Sequence, residues 1–401
     1  MTPVSRAWAA LALLCMAPRA ARAAPCESLP NPVVVMGSSA VKPLLAEIAK
    51  VLVAVPGGGG PVNIVYLGAG SCTGVSAVLN GAPVSGSALS YWDAQGIEQS
   101  CSLDASVGLM ADIGVSDVFA STCINLPNGL PSNIIDFLGP VQTMTFVVPR
   151  GSSQPSISAE AAYYVFGFGA DSGAEPWTQE AFLFQRNDQS GTQRMISRAI
   201  RLDAGVWRGV SAASSGDMRQ KVIAAGNVEP EGTLGILATD EADDNRATLK
   251  VLAYQHFGQS CGYFPDREPT SYEKQNVRDG HYVIWGPLHL LTTVDGNGRP
   301  TKATAGDVIS YIVGTKPPPA GLDLIYLEAQ RHVVPQCAMR VTRTQEIGPL
   351  LPNTPASPCG CYYDQLTDGS TSCTPCNVDS DCAASGIICS YHFCEALFTV
   401  L

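Results

Sequence analysis

Asn31 to Met36 close with an unbroken apolar run that ends at Gly37-Ser38-Ser39. The next apolar positions, Leu44, Leu45, Ile48, Ala49, Val51 and Leu52, recur at three- and four-residue steps. A short continuous run marks a buried strand, and the stepped spacing marks a helix with one buried face. The serines stand where a helix needs side-chain oxygens for its first free N–H groups. Val62 to Leu67 repeats the strand, Gly68 to Gly74 the small-residue turn, and Val75, Val78 and Leu79 the start of a helix. Further strands are expected over Thr143–Val148 and Ala181–Gln185, the latter ending in Arg186, and Thr233–Leu237 and Leu249–Ala253 read as strands or helix ends. Ile157–Phe166 reads as a short helix. The apolar stretch His281–Thr293 reads as a strand returning between two halves of the molecule. Strand and helix in alternation predict an α/β fold with a mostly parallel sheet, whose ligands sit at the carboxyl ends of the strands.

Composition narrows the setting. The chain is 46% hydrophobic and 15% charged, enough apolar residue to bury a real core. Arg6, the apolar run Ala7–Ala17 and the small residues around Arg22 have the layout of a secretory leader, with cleavage expected after Ala23 or Ala24. The net charge of −11 becomes −14 when Arg6, Arg19 and Arg22 leave with that leader and no acid does. Such a balance excludes nucleic acid as a partner. It leaves small anions open, because local donors and not the net field hold them. Of 14 cysteines, Cys15 lies in the leader and 13 remain, an odd number that leaves at least one unpaired within the chain. Export favours disulfides over metal or catalytic thiols.

Three small-residue turns stand at strand-to-helix junctions: Gly37-Ser38-Ser39-Ala40, Gly70-Ser71-Cys72-Thr73-Gly74 and Gln189-Ser190-Gly191-Thr192. Each aims unpaired backbone N–H groups and the positive end of a helix at one point, which is what an oxyanion needs. The third is preceded by Arg186, whose planar fork of donors matches a tetrahedral oxyanion, and by Asp188, placed to orient it. An enzymatic reading finds little support. His256, His281, His289, His332 and His392 sit in no catalytic pattern, Ser190 lacks the glycines of a nucleophile elbow, and no turn carries the lysine of a P-loop.

The segment Arg186-Asn187-Asp188-Gln189-Ser190-Gly191-Thr192 resembles the Arg-x-Asp-x-Ser-Gly-Thr motif of the periplasmic phosphate-binding proteins that serve ABC phosphate importers. Gly37 to Leu44, Gly68 to Ser71 and Asp112 to Asp117 are similar to that family's other signatures and follow in its order. The resemblance implies a two-lobed type II periplasmic-binding fold, with lobe one at 27–145 and 287–340, lobe two at 146–286, and a disulfide-rich appendage at 341–401. It implies a phosphate shell of Ser39, the Ala40 N–H, Ser71, Asp117, Arg186, Ser190, the Gly191 N–H and Thr192, with Asp188 bracing Arg186. It implies no cofactor, no metal and no catalysis. The partners it implies are inorganic phosphate or arsenate and an ABC permease, met by a secreted monomer in the periplasm or outside the cell. Asp117 sharpens the choice of anion, since a carboxylate only accepts hydrogen bonds and therefore selects an oxyanion that still carries a proton. A sensor, scavenger or adhesin on the same fold is the alternative function.

The sequence departs from the family at three places. The stretch from about Val84 to Met110, holding Tyr91, Trp92 and Cys101, is longer than in the familiar members, and a Cys101–Cys123 bridge is expected to clip it across the Asp117 loop. Asn276–Tyr282 has no family counterpart and is taken as a turn, with Arg278 at the rim of the cleft. From Cys359 to Cys394 seven cysteines stand among too few apolar residues for a core, so disulfides must hold the segment, with Cys337 as an eighth partner. Cys373-x-x-Cys376 has zinc-like spacing, and Asp379 and Asp381 lack the loop calcium requires.

Overall fold

The computed structural model describes residues 24–54, 60–81, 83–84, 89–103, 109–382 and 386–396. The expected leader, 1–23, lies outside them. No helix among the described residues is long and apolar enough to cross a membrane.

The first half is laid out as the apolar pattern requires. Strand β1 (Pro32–Gly37) leads to α1 (Lys42–Ala54), then β2 (Asn63–Leu67) to α2 (Ser71–Asn80). The stretch after α2 contains the antiparallel pair β3 (Leu89–Trp92) and β4 (Glu98–Ser102). Next come β5 (Ile113–Ser116), α3 (Ala120–Cys123) and the sixteen-residue β6 (Ile134–Pro149). The second half adds α4 (Ala159–Phe168), β7 (Phe184–Arg186), α5 (Gly191–Ile200), β8 (Val210–Ala212) and α6 (Ser215–Gly226). It continues with β9 (Gly235–Ala238), α7 (Thr239–Asp243), β10 (Leu249–Val251) and the return strand β11 (Trp285–Thr293). Helices α8 (Ala303–Ile312), α9 (Leu324–Gln330) and α10 (Gly360–Asp368) follow, and the hairpin β12 (Ile387–Ser390) and β13 (Phe393–Ala396) closes the described chain.

The main sheet runs, from the edge strand Ala24–Pro25, through β4, β3, β2, β1, β5, β11 and β6 to β9, with β10 also on β6. It is parallel across β2, β1 and β5 and antiparallel across β11, β6 and β9, so it is mixed where a mostly parallel sheet was expected. The antiparallel part is built on the long strands β6 and β11. They pair antiparallel from Trp285↔Thr143 to Thr293↔Ile134, with a register shift between Pro287 and His289, and so serve two cores. One core gathers Val35, Ile48, Ile64, Trp92, Val115 and Ile309. The other gathers Phe146, Phe166, Met195, Ile236, Leu252 and Tyr282, and Val334, Met339, Cys359 and Tyr363 pack with it.

The 84–110 stretch extends the first sheet through β3 and β4, with Trp92 buried against Tyr66. Its cysteine does not take the expected partner. The edge strand lies in register with β4 (Ala24↔Cys101), which brings Cys26 to Cys101 at a Cα–Cα distance of 5.0 Å. Cys123, at the end of α3, lies beside the first turn of α2 and bridges to Cys72, also at 5.0 Å. The bridge therefore clips the Asp117 loop to the Ser71 turn. Cys337 pairs with Cys359, and the tail closes through Cys361–Cys373, Cys376–Cys389 and Cys382–Cys394. Among the described residues Cys261 is free and exposed. Arg278 is no rim residue. It is buried, its Nε donates to Ala338 O at 3.1 Å, and it pairs with Asp364 of α10, so it anchors the tail.

Candidate functional site

Four strand ends deliver the side chains of the site. β1 ends at Gly37 and hands Ser38 and Ser39 to the start of α1, held by Ser38 N–H to Val115 O at 2.9 Å. β2 leads to Gly70, whose φ of 99° is open to glycine, and Ser71 then opens α2. β5 delivers Asp117, and β7 delivers Arg186 just before Ser190 and the start of α5. All four are carboxyl ends, as the alternating pattern requires.

Asp117 is 1% exposed. Its Oδ2 accepts from Ser38 Oγ at 2.5 Å and from Ser71 Oγ at 3.0 Å, while its own N–H donates to Ser71 Oγ at 3.2 Å. Its Oδ1 has no partner among the described residues. Burial pushes this carboxyl above the usual range, and the two serine hydroxyls, Arg186 and His289 pull the other way. Arg186 is 3% exposed, and its backbone N–H donates to Gln193 Oε1 at 2.7 Å. Its Nε donates to Ala212 O at 3.1 Å, Nη1 to Ser215 Oγ at 3.3 Å, and Nη2 to Ser39 Oγ at 3.4 Å. Burial lowers its pKa and Asp117 opposes that most. An arginine and a carboxylate are thus both withdrawn from water at one place, a costly arrangement unless further polar groups complete it.

The two halves meet here. Ser39 Oγ lies 3.3 Å from Ser215 Oγ at the start of α6, and Cys72 N–H donates to Gln189 O at 3.0 Å. A Cβ on Gly191 would stand 2.3 Å from Ser71 Oγ and 2.7 Å from Asp117 Oδ2, so only glycine fits between those groups. A cleft of about 330 Å³ opens beside Ser39, Tyr66, Ser214 and Ser215.

Ser39, Ser71, Asp117, Arg186 and Gly191 are therefore brought together. Ala40 is buried, its N–H donating to Ser38 Oγ at 3.1 Å, and Ser190 and Thr192 are buried at the start of α5. Asp188 is not part of the cluster. Its side chain is 50% exposed and pairs with Arg194 at 3.7 Å, because the turn into α5 points it at that helix and away from the end of β7. The orientation of Arg186 comes from the carbonyls of Ala212 and Ala213 and from Ser215. Ser38 and Ser215 escape sequence reasoning. Ser38 is one of two adjacent serines in a single turn, and Ser215 opens a helix 29 residues after Arg186 with no motif around it. Tyr66, whose hydroxyl donates to Ser38 O, is also new, and burial raises its pKa.

No family model and no curated protein matches the sequence. Solved structures do. The chain is similar to one described as a phosphate ABC transporter substrate-binding protein with bound phosphate from Clostridium perfringens. That match has a TM-score of 0.50 and 14% identity, and covers 76% of this chain and 99% of the other. An ABC-type phosphate transport receptor from Vibrio cholerae follows at a TM-score of 0.48 and 13% identity, covering 75% of this chain and 99% of that one. At such identity what the first match establishes is the fold, a two-lobed α/β architecture, to which this chain adds a disulfide-rich C-terminal segment.

Proposed function

We propose that this chain is an extracytoplasmic binding protein for inorganic phosphate, with arsenate as a chemical mimic, that hands its ligand to an ABC permease and performs no catalysis. The observation that carries the reading is Asp117. A buried carboxylate with an unspent acceptor oxygen, set against a buried arginine, asks for a ligand that is an anion and also a hydrogen-bond donor. Phosphate near neutral pH is both, and sulfate is only the first. In this reading Ser39, Arg186, Ser190, the Gly191 N–H and Thr192 donate to phosphate oxygens, and Asp117 accepts from the phosphate O–H. The Ala40 N–H and the Ser71 hydroxyl exchange their bonds to Ser38 Oγ and Asp117 Oδ2 for bonds to the anion on binding. The donors at the starts of α1, α2 and α5 carry the positive ends of three helices of ten or more residues. The lobes are taken as 27–145 with 287–340 and as 146–286, and closure as a hinge motion on β6 and β11.

Calorimetric titration of the oxidised mature protein, stripped of ligand by unfolding and refolding, tests this. Phosphate is expected to bind and sulfate to bind at least about a hundredfold more weakly, since a missing hydrogen bond to a buried carboxylate costs about 1–3 kcal/mol before repulsion is added. Asp117→Asn is expected to erase most of that preference. Equal binding of both anions by the unmodified protein would sink the role given to Asp117, and binding of neither would sink the function.

A further inference from the structure

A second cavity, of about 470 Å³, lies where α8 ends, α9 begins and the C-terminal segment crosses them. It shares no residue with the Ser39–Asp117–Arg186 cluster. Glu328 of α9 lines it and is only 4% exposed. Among the described residues no hydrogen-bond donor and no cation meets the Glu328 carboxyl. Arg331, one turn on, is committed to Glu47 at 2.6 Å and Asp244 at 3.7 Å, and Lys316 to Asp307 at 2.7 Å. Burial, and then the negative charge of Asp323, push the Glu328 carboxyl up to about 8. A buried acid without a partner is a cost the fold need not bear, because an apolar residue would fill the same place.

The rest of the wall has the same polarity. Tyr311 to Gly314 bring the C-terminal end of the ten-residue α8, where helix carbonyls concentrate negative potential. Gln336 and Asn353 also line the cavity. Gln336 spends its amide N–H on Gly139 O at 2.7 Å, and Asn353 spends its own on Met339 O at 2.9 Å, which leaves the amide oxygens as acceptors. Tyr391, from the turn of the terminal hairpin, adds an aromatic face that stacks on Tyr362 with centroids 5.6 Å apart. Among the described residues no lysine, arginine or histidine lines the cavity. Acceptors, a helix C-terminus, an aromatic face and a lone acid all favour a cation.

We propose that this cavity is a second ligand site and takes a small organic molecule bearing a protonated amine. Its ammonium donates to Glu328, the amide oxygens of Gln336 and Asn353 receive neighbouring N–H or O–H groups, and its carbon skeleton lies against Tyr391. Binding ionises Glu328, and the proton it gives up passes to the buffer.

The test is a calorimetric titration of the oxidised mature chain at pH 7 with glucosamine, n-butylamine and glucose, each in PIPES and in HEPES. Both amines are expected to bind, with glucose at least tenfold weaker than glucosamine, and their heats to differ between the buffers as a released proton requires. Glu328→Gln, near-isosteric with the native side chain, is expected to weaken glucosamine at least tenfold and abolish the buffer dependence. Tyr391→Asn, which keeps the acid, is expected to weaken the amines while keeping it. Thermal unfolding of each variant verifies that it is folded. Glucose binding as tightly as glucosamine would make this a neutral-sugar site and overturn the proposal. Absence of amine binding, or Glu328→Gln binding like the unmodified protein, would overturn it as well.

Discussion

Gly191 leaves no room for a side chain, because a Cβ there would stand 2.3 Å from Ser71 Oγ and 2.7 Å from Asp117 Oδ2. Gly191→Ala should therefore lower phosphate affinity at least a hundredfold by calorimetry, while the melting temperature moves by only a few degrees, since opening the cleft relieves the overlap. Asp188 gives the opposite expectation. It pairs with Arg194 and not with Arg186, so Asp188→Ala should leave phosphate affinity within about twofold, an exposed pair contributing under about 1 kcal/mol. Arg186→Lys should lose phosphate binding at least a hundredfold, since an ammonium cannot reach the Ala212 carbonyl, Ser215 and an anion together. At this scale the sequence was most informative where chemistry and chain neighbourhood coincide. Arg186 and Gly191, which the fold brings into the cluster, could be picked out because one run of seven consecutive residues carries both. Ser215 could not, because only the pairing of β7 with β8 brings its helix to the arginine.

Among the elements, the segment between α9 and α10 differs most from a loose linker. Glu346 within it accepts from Phe119 N–H at 3.2 Å, two residues beyond Asp117, and Arg343 lies over the ring of Trp285 at 3.9 Å. The Glu346 Oε1 is buried without a partner among the described residues, and burial pushes its carboxyl up to about 7, against His289, Arg343 and Arg198. A folded-state pKa above the unfolded one means the native chain holds this proton more tightly. The resulting stability is full below about pH 4.5 and is lost as pH rises through 7, on the order of 3 kcal/mol in all. Glu346→Gln should remove that slope, so urea unfolding from pH 4.5 to 8 should show the variant gaining on the unmodified protein as pH rises. The Cys72–Cys123 bridge closes a loop of 51 residues, and its loss as Cys72→Ser with Cys123→Ser should cost about 2–4 kcal/mol in the same assay. It should also weaken phosphate binding, because the bridge joins the Ser71 and Asp117 turns. β1, α1, β2 and α2 were legible from spacing alone, whereas β3, β4, β5 and α3 were not. Cys337 was recognised as a partner of the tail cysteines, but the partner of Cys101 was not, because Cys101 meets Cys26 through strand register, which a count of residues does not contain.

On the scale of the whole molecule, β6 and β11 are the frame, since one antiparallel ladder enters both cores. The sequence showed only the more apolar end of β6, Thr143–Val148. The preceding residues Ile135 to Leu138 are half-exposed and mix acid with apolar, so their pattern does not read as strand. If the halves hinge on this ladder, the Cys72 N–H to Gln189 O contact is made on closure, and small-angle scattering should record a smaller radius of gyration with phosphate than without. An unchanged radius would mean the halves are fixed. The bridge connectivity carries a consequence for how the protein is made. Cys26–Cys101 and Cys72–Cys123 interleave along the chain, as do Cys376–Cys389 and Cys382–Cys394. A chain oxidised in the order it emerges would join Cys26 to Cys72 first and then Cys101 to Cys123, both wrong. A chain oxidised that way reaches the native pairing only through thiol exchange that undoes those first links. Such a connectivity calls either for folding ahead of oxidation or for surroundings that reshuffle sulfur bonds as well as form them.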